Sequence, residues 1–168
     1  MSEPRIRPYA ADDLGPLTAI YNHYVTGSIA TFDLLPLTTA QFAEWVAAHT
    51  AGAGSALFVA EVDGEVVGYA GAGPFRPRAA YDRTVETTIY LAPGHLARGI
   101  GRALYARLFE TLESRPLHRA IAVISLPNPA SERLHARFGF RSVGRLTEVG
   151  RKFDRYWDVG LFERPLKP

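Results

Sequence analysis

A stretch with a strand's composition, Thr84-Val-Glu-Thr-Thr-Ile-Tyr-Leu91, runs directly into Ala92-Pro-Gly-His-Leu-Ala-Arg-Gly-Ile-Gly101 and then into Arg102-Ala-Leu-Tyr-Ala-Arg-Leu-Phe109. The first piece is rich in β-branched residues. The second carries glycines at 94, 99 and 101, and the third repeats apolar residues at helical spacing. A strand that feeds a helix through a glycine-rich turn leaves unpaired backbone N–H groups at the start of that helix. Such a terminus carries roughly half a positive charge, so a phosphate or pyrophosphate is its natural partner.

The rest of the chain reads as a single domain, residues 1–168. At 168 residues, a single core is expected to bury roughly 68–70% of the unfolded surface. Apolar residues at 47% and charged residues at 21% fit a folded globular chain rather than a disordered one. The absence of cysteine excludes disulfides, thiolate metal sites and cysteine nucleophiles, and no metal is expected. The formal net charge of +2 is scattered rather than gathered in a run, so no nucleic-acid partner is indicated. It suits a small anionic ligand as well as ordinary surface charge. The segment Met1–Pro8 has no apolar signal core, and every later apolar run is broken by charge within about ten residues. No membrane segment and a cytoplasmic location are expected.

Arg5–Tyr9 reads as a short strand, and Ala11–Val25 places Leu14, Leu17, Ile20, Tyr21 and Tyr24 on one helical stripe, with Asp12 or Asp13 as cap. A loop over Thr26–Leu37 holds Phe32. Thr38-x-x-Gln41 then forms a capping-box pattern that opens a helix to about His49, presenting Phe42, Trp45 and Val46 inward. Asp63-Gly64 between the apolar runs 56–62 and 65–72 is a hairpin signal. Pro74–Tyr81 is too rich in proline and arginine for a strand interior and reads as a loop. Ile100, Leu104, Leu108 and Leu112 recur every fourth residue, with Tyr105 and Phe109 widening the stripe of a helix that ends near Ser114. Ala120–Ile124 is almost wholly apolar, as expected of a strand covered on both faces. After Leu126-Pro-Asn-Pro129 comes a short helix over Ala130–Phe138, then strands over Ser142–Val149 and Tyr156–Glu163. Strands outnumber helices and are mostly hairpin-linked around one strand–helix–strand crossover, which predicts an α+β fold with helices packed on a mixed sheet.

Glu86 is an acid inside a strand, a position that calls for a cavity, a partner or a solvated face. Period two places Thr88 and Tyr90 on its side. The glycine loop is neither a Walker loop nor a dinucleotide fingerprint: no Gly-Lys-Ser/Thr ending is present, and Leu104 stands where a third glycine would be needed.

Leu96-Ala-Arg-Gly-Ile-Gly101 resembles the pyrophosphate loop of the GNAT acyltransferases, with Leu96 in place of the usual polar first residue and Arg98 kept beside the glycines. The resemblance runs from about Ile6 to Leu166. It narrows through Ile20-Tyr-Asn-His-Tyr-Val25, Ala70-Gly-Ala-Gly-Pro-Phe75, Ala80-Tyr-Asp-Arg-Thr-Val-Glu86, Ser125-Leu-Pro-Asn128, Arg133-Leu-His135 and Trp157-Asp-Val-Gly160, which look like the successive motifs of phosphinothricin and methionine sulfoximine N-acetyltransferases.

The resemblance implies the GNAT fold, a central mixed and mostly antiparallel sheet flanked by helices, and transfer of an acetyl group from acetyl-CoA to the α-amino group of a small glutamate- or methionine-like amino acid. Its catalytic residues would be Glu86 as general base, directly or through water, and His135 as proton donor to the thiolate. Acetyl-CoA would lie along Ile89, Tyr90 and Leu91, with its pyrophosphate on Leu96, Ala97, Arg98, Gly99, Ile100, Gly101 and Arg102. Asn128 would either bond the pantetheine or cap the following helix. The amine substrate would meet Thr88 and Tyr90, the guanidinium forks of Arg76 and Arg78, and Tyr81. Phe32 would close the pocket or pack in the core. A homodimer is implied as well. A GNAT enzyme for another amine or a protein N-terminus, and a non-catalytic acetyl-CoA-binding module, are the alternatives.

Overall fold

A computed structural model describes residues 3–167, so Met1 and Ser2 of the N-terminal segment lie outside the described residues, as does Pro168. In chain order the elements are β1 (Arg5–Pro8), α1 (Leu14–Gly27), α2 (Thr39–Thr50), β2 (Ala56–Val62), β3 (Glu65–Pro74), β4 (Thr84–Leu91), α3 (Ile100–Glu113), β5 (Arg119–Leu126), α4 (Pro129–Arg137), β6 (Arg141–Lys152) and β7 (Arg155–Pro165). The strands form one seven-stranded sheet in the order β1-β2-β3-β4-β5-β7-β6. All pairs are antiparallel except β4 with β5, the pair joined by the α3 crossover.

Local signals account for most of these elements. The β2–β3 turn places Asp63 and Gly64 at φ 50° and 85°, the left-handed pair that a two-residue hairpin requires. Thr38 caps α2 as its spacing predicts: its hydroxyl accepts from the Gln41 N–H at 3.2 Å, and the Gln41 side chain accepts from the Thr38 N–H at 2.9 Å. Asp13 stands before α1, but its side chain makes no cap bond. Its carboxylate instead accepts from Arg7 at 2.7 and 2.8 Å and from the Ala10 N–H at 2.7 Å, tying β1 to α1. These bonds, the Arg7 pair foremost, hold its pKa below the usual carboxylate range.

The sheet is covered on two sides. The stripe Ile100, Leu104, Leu108 and Leu112 of α3 packs with Ala70, Ala72, Ala120, Ala122 and Ile124 of the sheet. On the opposite face Leu17 and Ile20 of α1 and Phe42 and Val46 of α2 pack on Leu57, Val59 and Tyr69. Strand β5 departs from the expectation of two covered faces: Ala120, Ala122 and Ile124 are buried, whereas Val123 is 46% exposed. The reason lies in the pairing of β4 with β5, which extends only over Thr84–Glu86 against Arg119–Ile121. Beyond that point β4 stays with β3 while β5 stays with β7, and the sheet opens.

Candidate active site

Two cavities meet where the sheet splits. A cleft of about 740 Å³ is lined by Thr87–Leu91 of β4, Ala122–Ser125 of β5, the loop before α3 and the first turns of α4. A chamber of about 430 Å³ lies on the side of α1 and α2, lined among others by Tyr21, Phe32, Trp45, His49 and Glu86. Ala30, Thr87, Thr88, Tyr90, Val123 and Ser125 border both. A strand pair that separates leaves edge groups facing the gap, and the shared residues form the boundary between cleft and chamber.

The cleft side matches the glycine-loop expectation in most positions. Leu96, Ala97, Arg98, Gly99, Gly101 and Arg102 line it, with Ile89, Tyr90 and Leu91 on the strand. Ile100 differs: its side chain is 3% exposed and belongs to the α3 core, so only its backbone can serve a ligand. Gly99 caps α3 at φ 80°, a conformation in which a Cβ is strained, and Ala97 adopts the left-handed region at φ 58°. Gly101 answers to packing, since a Cβ there would lie 3.4 Å from the Leu134 side chain. The first four N–H groups of a helix have no intrahelical partner. In α3 they begin beside this loop, with Ala103 N–H to the Gly99 carbonyl as the first helical bond.

On α4 the Asn128 side chain accepts from the Ser131 N–H at 3.1 Å, so it caps that helix, and Asn128 also borders the cleft. His135 is 3% exposed. Its Nδ1 donates to the Ser131 carbonyl at 2.8 Å, which leaves Nε2 to accept from the Tyr105 hydroxyl at 2.8 Å. Burial pushes the imidazole pKa down, outweighing the Ser131 bond. The structure therefore holds His135 neutral, with both nitrogens engaged and the ring edge-on to Tyr105 and Phe140.

Glu86 is half-buried in the chamber. Removal from water pushes its pKa above the ordinary carboxylate range, and the charge of Arg76 partly offsets this. Thr88 and Tyr90 share its face, since the β3–β4 register runs without a bulge from Gly68–Leu91 to Pro74–Val85. The Tyr90 ring is held between Tyr21, Tyr24 and Tyr69, and its hydroxyl donates to the Ala30 carbonyl at 3.0 Å. Phe32 lines the chamber and lies over Gly150 of β6, where any Cβ would overlap the ring. Phe32 thus borders the chamber and packs against β6 at the same time.

Arg78 and Tyr81 are not brought into either cavity wall, and neither is Arg76. All three are exposed on the β3–β4 loop. That loop is turned outward by bonds of its own, Arg78 N–H to the Arg76 carbonyl at 2.9 Å and Tyr81 N–H to the Arg78 carbonyl at 2.9 Å, with Tyr81 edge-on to Phe75.

The family model for "Acetyltransferase (GNAT) family" matches residues 17–140, most of the chain. The chain belongs to the GNAT acetyltransferase family. A phosphinothricin N-acetyltransferase of Streptomyces coelicolor is 51% identical to this GNAT chain over 98% of both chains. An L-methionine sulfoximine/L-methionine sulfone acetyltransferase of Pseudomonas paraeruginosa is 33% identical over 97% of this chain and 95% of its own. The crystal structure of a GNAT phosphinothricin acetyltransferase from Sinorhizobium meliloti in complex with acetyl-CoA superposes with a TM-score of 0.94 at 35% identity. That match covers 99% of this chain and 90% of the other.

The protein is thus an N-acetyltransferase with the GNAT α+β fold, a mixed sheet flanked by helices. No helix among the described residues is long and apolar enough to cross a membrane, and none of their His, Asp and Glu side chains form a group of three that could hold a metal ion. Three side chains in this GNAT site were not singled out by sequence as site residues: His49, Tyr105 and Val123. Tyr105 reads as one more member of an apolar stripe, and Val123 as one more residue of an apolar strand. His49 carried a weak signal, standing four residues after Trp45 on the inward side of α2.

Proposed function

We propose that this enzyme transfers the acetyl group of acetyl-CoA directly to the α-amino group of a small amino acid related to glutamate or methionine, a substrate class supported by relatives named for phosphinothricin and for L-methionine sulfoximine and sulfone. The observation that carries the reading is the meeting of the two cavities at the split between β4 and β5, with the start of α3 on one side and Glu86 on the other. The cleft suits acetyl-CoA. Its lining offers a helix N-terminus with Arg98 and Arg102 beside it for a pyrophosphate, and the inner edge of β4 at Ile89–Leu91, beyond its pairing with β5, for an amide-bearing arm. When bound, acetyl-CoA supplies the acyl thioester.

The chain's own groups do the rest. Glu86 receives a proton from the substrate ammonium, which cannot attack while protonated. Its raised pKa brings it closer to that task, because a carboxylate deprived of water holds a proton more tightly. The chamber shields the amine from bulk water with Phe32, Trp45 and Tyr21. Backbone N–H groups stabilise the oxyanion. His135, neutral and paired with Tyr105 in the wall of the cleft, relays through Nε2 and the Tyr105 hydroxyl the proton that the attacking nitrogen gives up, so that it ends on the thiolate. The charge of Arg76, already felt by Glu86, favours a substrate that brings a carboxylate. The enzyme works in the cytoplasm as a single domain without a metal.

It also works as a homodimer. The β6–β7 hairpin at the sheet edge exposes Val143, Leu146, Val149, Phe153 and Tyr156 at 45–61% each, an apolar strip fit to be covered by a second copy. Sedimentation velocity is expected to give the mass of a dimer, and a monomer at micromolar concentration would remove this assignment.

The activity is tested by thiol release from acetyl-CoA with phosphinothricin, methionine sulfoximine, methionine sulfone, ordinary amino acids, polyamines and peptides. Glutamate-like and sulfone-bearing amino acids are expected to lead. A preference for cationic amines would overturn the substrate class. In the same assay His135→Gln is expected to lower kcat by about tenfold or more; an unchanged kcat would remove His135 from the proton path.

A further inference from the structure

The chamber holds a second basic group that faces the same space as Glu86. His49, near the end of α2, lies flat on Trp45 with ring centroids 3.8 Å apart. Its Nδ1 is 2.8 Å from the Trp45 carbonyl. A carbonyl only accepts, so Nδ1 carries the hydrogen and Nε2 presents a lone pair. Among the described residues neither Nε2 nor the Glu86 carboxylate has a hydrogen-bond partner, and both residues line the chamber.

Two glycines place that lone pair. The imidazole rests on Gly71 and Gly73 of β3, where a Cβ at Gly73 would come within 2.9 Å of Nε2. Nε2 therefore takes the space that a side chain at position 73 would fill. Gly73 is the direct partner of Glu86 across β3–β4, and Gly71 that of Thr88. Directly opposed residues in an antiparallel pair project to one face with Cβ positions about 5 Å apart. The imidazole nitrogen and the Glu86 side chain accordingly lie over the same patch of sheet and face the same chamber.

The chemistry proposed above needs such a group. When the nitrogen of an ammonium forms its bond to the acetyl carbon and the carbon–sulfur bond breaks, the nitrogen goes from three protons to one. One of the two protons ends on the sulfur, and the other must leave the site. A half-buried carboxylate holds that proton more tightly than one in water, and a second acceptor beside it speeds the return to the ionised form. We propose that His49 is the second proton acceptor of this enzyme, taking the surplus proton from Glu86 through water at Nε2 and releasing it to solvent. The proposal rests on the acetyl-transfer reading.

The groups around the relay are consistent with it. Next to the ring β3 contributes glycines, β2 contributes Leu57 and the Ala56 carbonyl at that same spot, and α2 contributes Trp45. The titratable side chains of the chamber besides His49 are Glu86 and Tyr90 of β4 and Tyr21 of α1, with Arg76 acting on Glu86 from outside. Burial lowers the His49 pKa and raises that of Glu86, so the two move toward each other.

The test has one arm without turnover and two with it. In the free protein, ¹⁵N NMR of the imidazole is expected to show the Nδ1–H tautomer, and an Nε2–H tautomer would overturn the proposal. For turnover, the best amine of the panel is used. His49→Gln is expected to reduce kcat on the order of 10²-fold with KM for acetyl-CoA unchanged. The acid limb of its log kcat profile is expected to fall from a slope of about two, for two groups that must be unprotonated, to about one. His49→Ala is expected to regain activity with added imidazole. Wild-type kinetics in both variants, or a loss that keeps the wild-type slope and ignores imidazole, would overturn the proposal while leaving acetyl transfer intact. Absence of turnover in the wild type with every amine would instead remove the acetyl-transfer reading, and this proposal with it.

Discussion

Glu86→Gln is expected to lower kcat/KM for the amine by about 10²–10⁴-fold, the usual worth of a positioned general base. Glutamine keeps the volume and the hydrogen bonding of the side chain but cannot take a proton. KM for acetyl-CoA is expected to stay near the wild-type value, because Glu86 lines the chamber and not the larger cleft. In the wild type the active form is the ionised one, and burial raises the folded pKa. The rate should therefore rise with pH through a point above the ordinary glutamate value of about 4.3.

The stability consequence has the opposite sign. A carboxyl whose folded pKa is raised favours the fold while protonated, and that contribution is lost as pH rises through the folded pKa. At neutral pH the wild type thus carries an ionised, partly desolvated Glu86, a burden that Glu86→Gln removes. The variant is expected to melt no lower than the wild type at pH 7. Stopped activity in a fully stable protein is the result that separates a catalytic role from a structural one. A variant with wild-type kcat/KM would refute the assignment of the base.

Leu104→Ala is expected to cost about 2–5 kcal/mol, the range for removing a buried leucine side chain without collapse of the site. Leu104 is 0% exposed on the inward stripe of α3, among the core residues that join this helix to β2, β3 and β5. In a chain of this size each kcal/mol moves Tm by about 2–4 °C, so a fall on the order of 10 °C is expected in a thermal melt. The loss is a large part of a total stability of about 5–15 kcal/mol. It should also raise KM for acetyl-CoA, since Leu104 sits one turn behind the loop Leu96–Gly101 and seats the helix start. Leu35→Ala, at a residue 77% exposed, is the control and should stay within about 0.5 kcal/mol of the wild type. Equal melting of the two variants would show that α3 is not the keystone that its burial indicates.

Short-range signals were legible because their physics is short-range. The turn at Asp63-Gly64, the box at Thr38 and Gln41, and the fourfold repeat of α3 each depend on residues within a few positions of one another, and each formed where the spacing puts it. The glycine loop was legible in outline. Sequence did not separate the roles of its glycines, one set by backbone angle at Gly99 and one by packing against Leu134 at Gly101. Asp13 looked like a cap and became half of a pair with Arg7, because a partner six residues upstream on β1 offers two bonds from a cation where a cap offers one from an uncharged N–H.

Read alone, the sequence determined the order of elements, the amphipathic faces, the acid in a strand and the motifs that tie the chain to the acetyltransferases. Tertiary structure alone decided that β4 and β5 part after Glu86 and Ile121, and that the parting leaves Val123 in the wall of a cleft. It also decided that His135 is spoken for by Ser131 and Tyr105, and that His49 lies over Gly73 beside Glu86. Apart from the His135–Ser131 bond within α4, these contacts join residues on different elements, far apart in the chain. What sets them is the register of one strand on another and the packing of helices on a twisted sheet, neither of which has a local spacing to read.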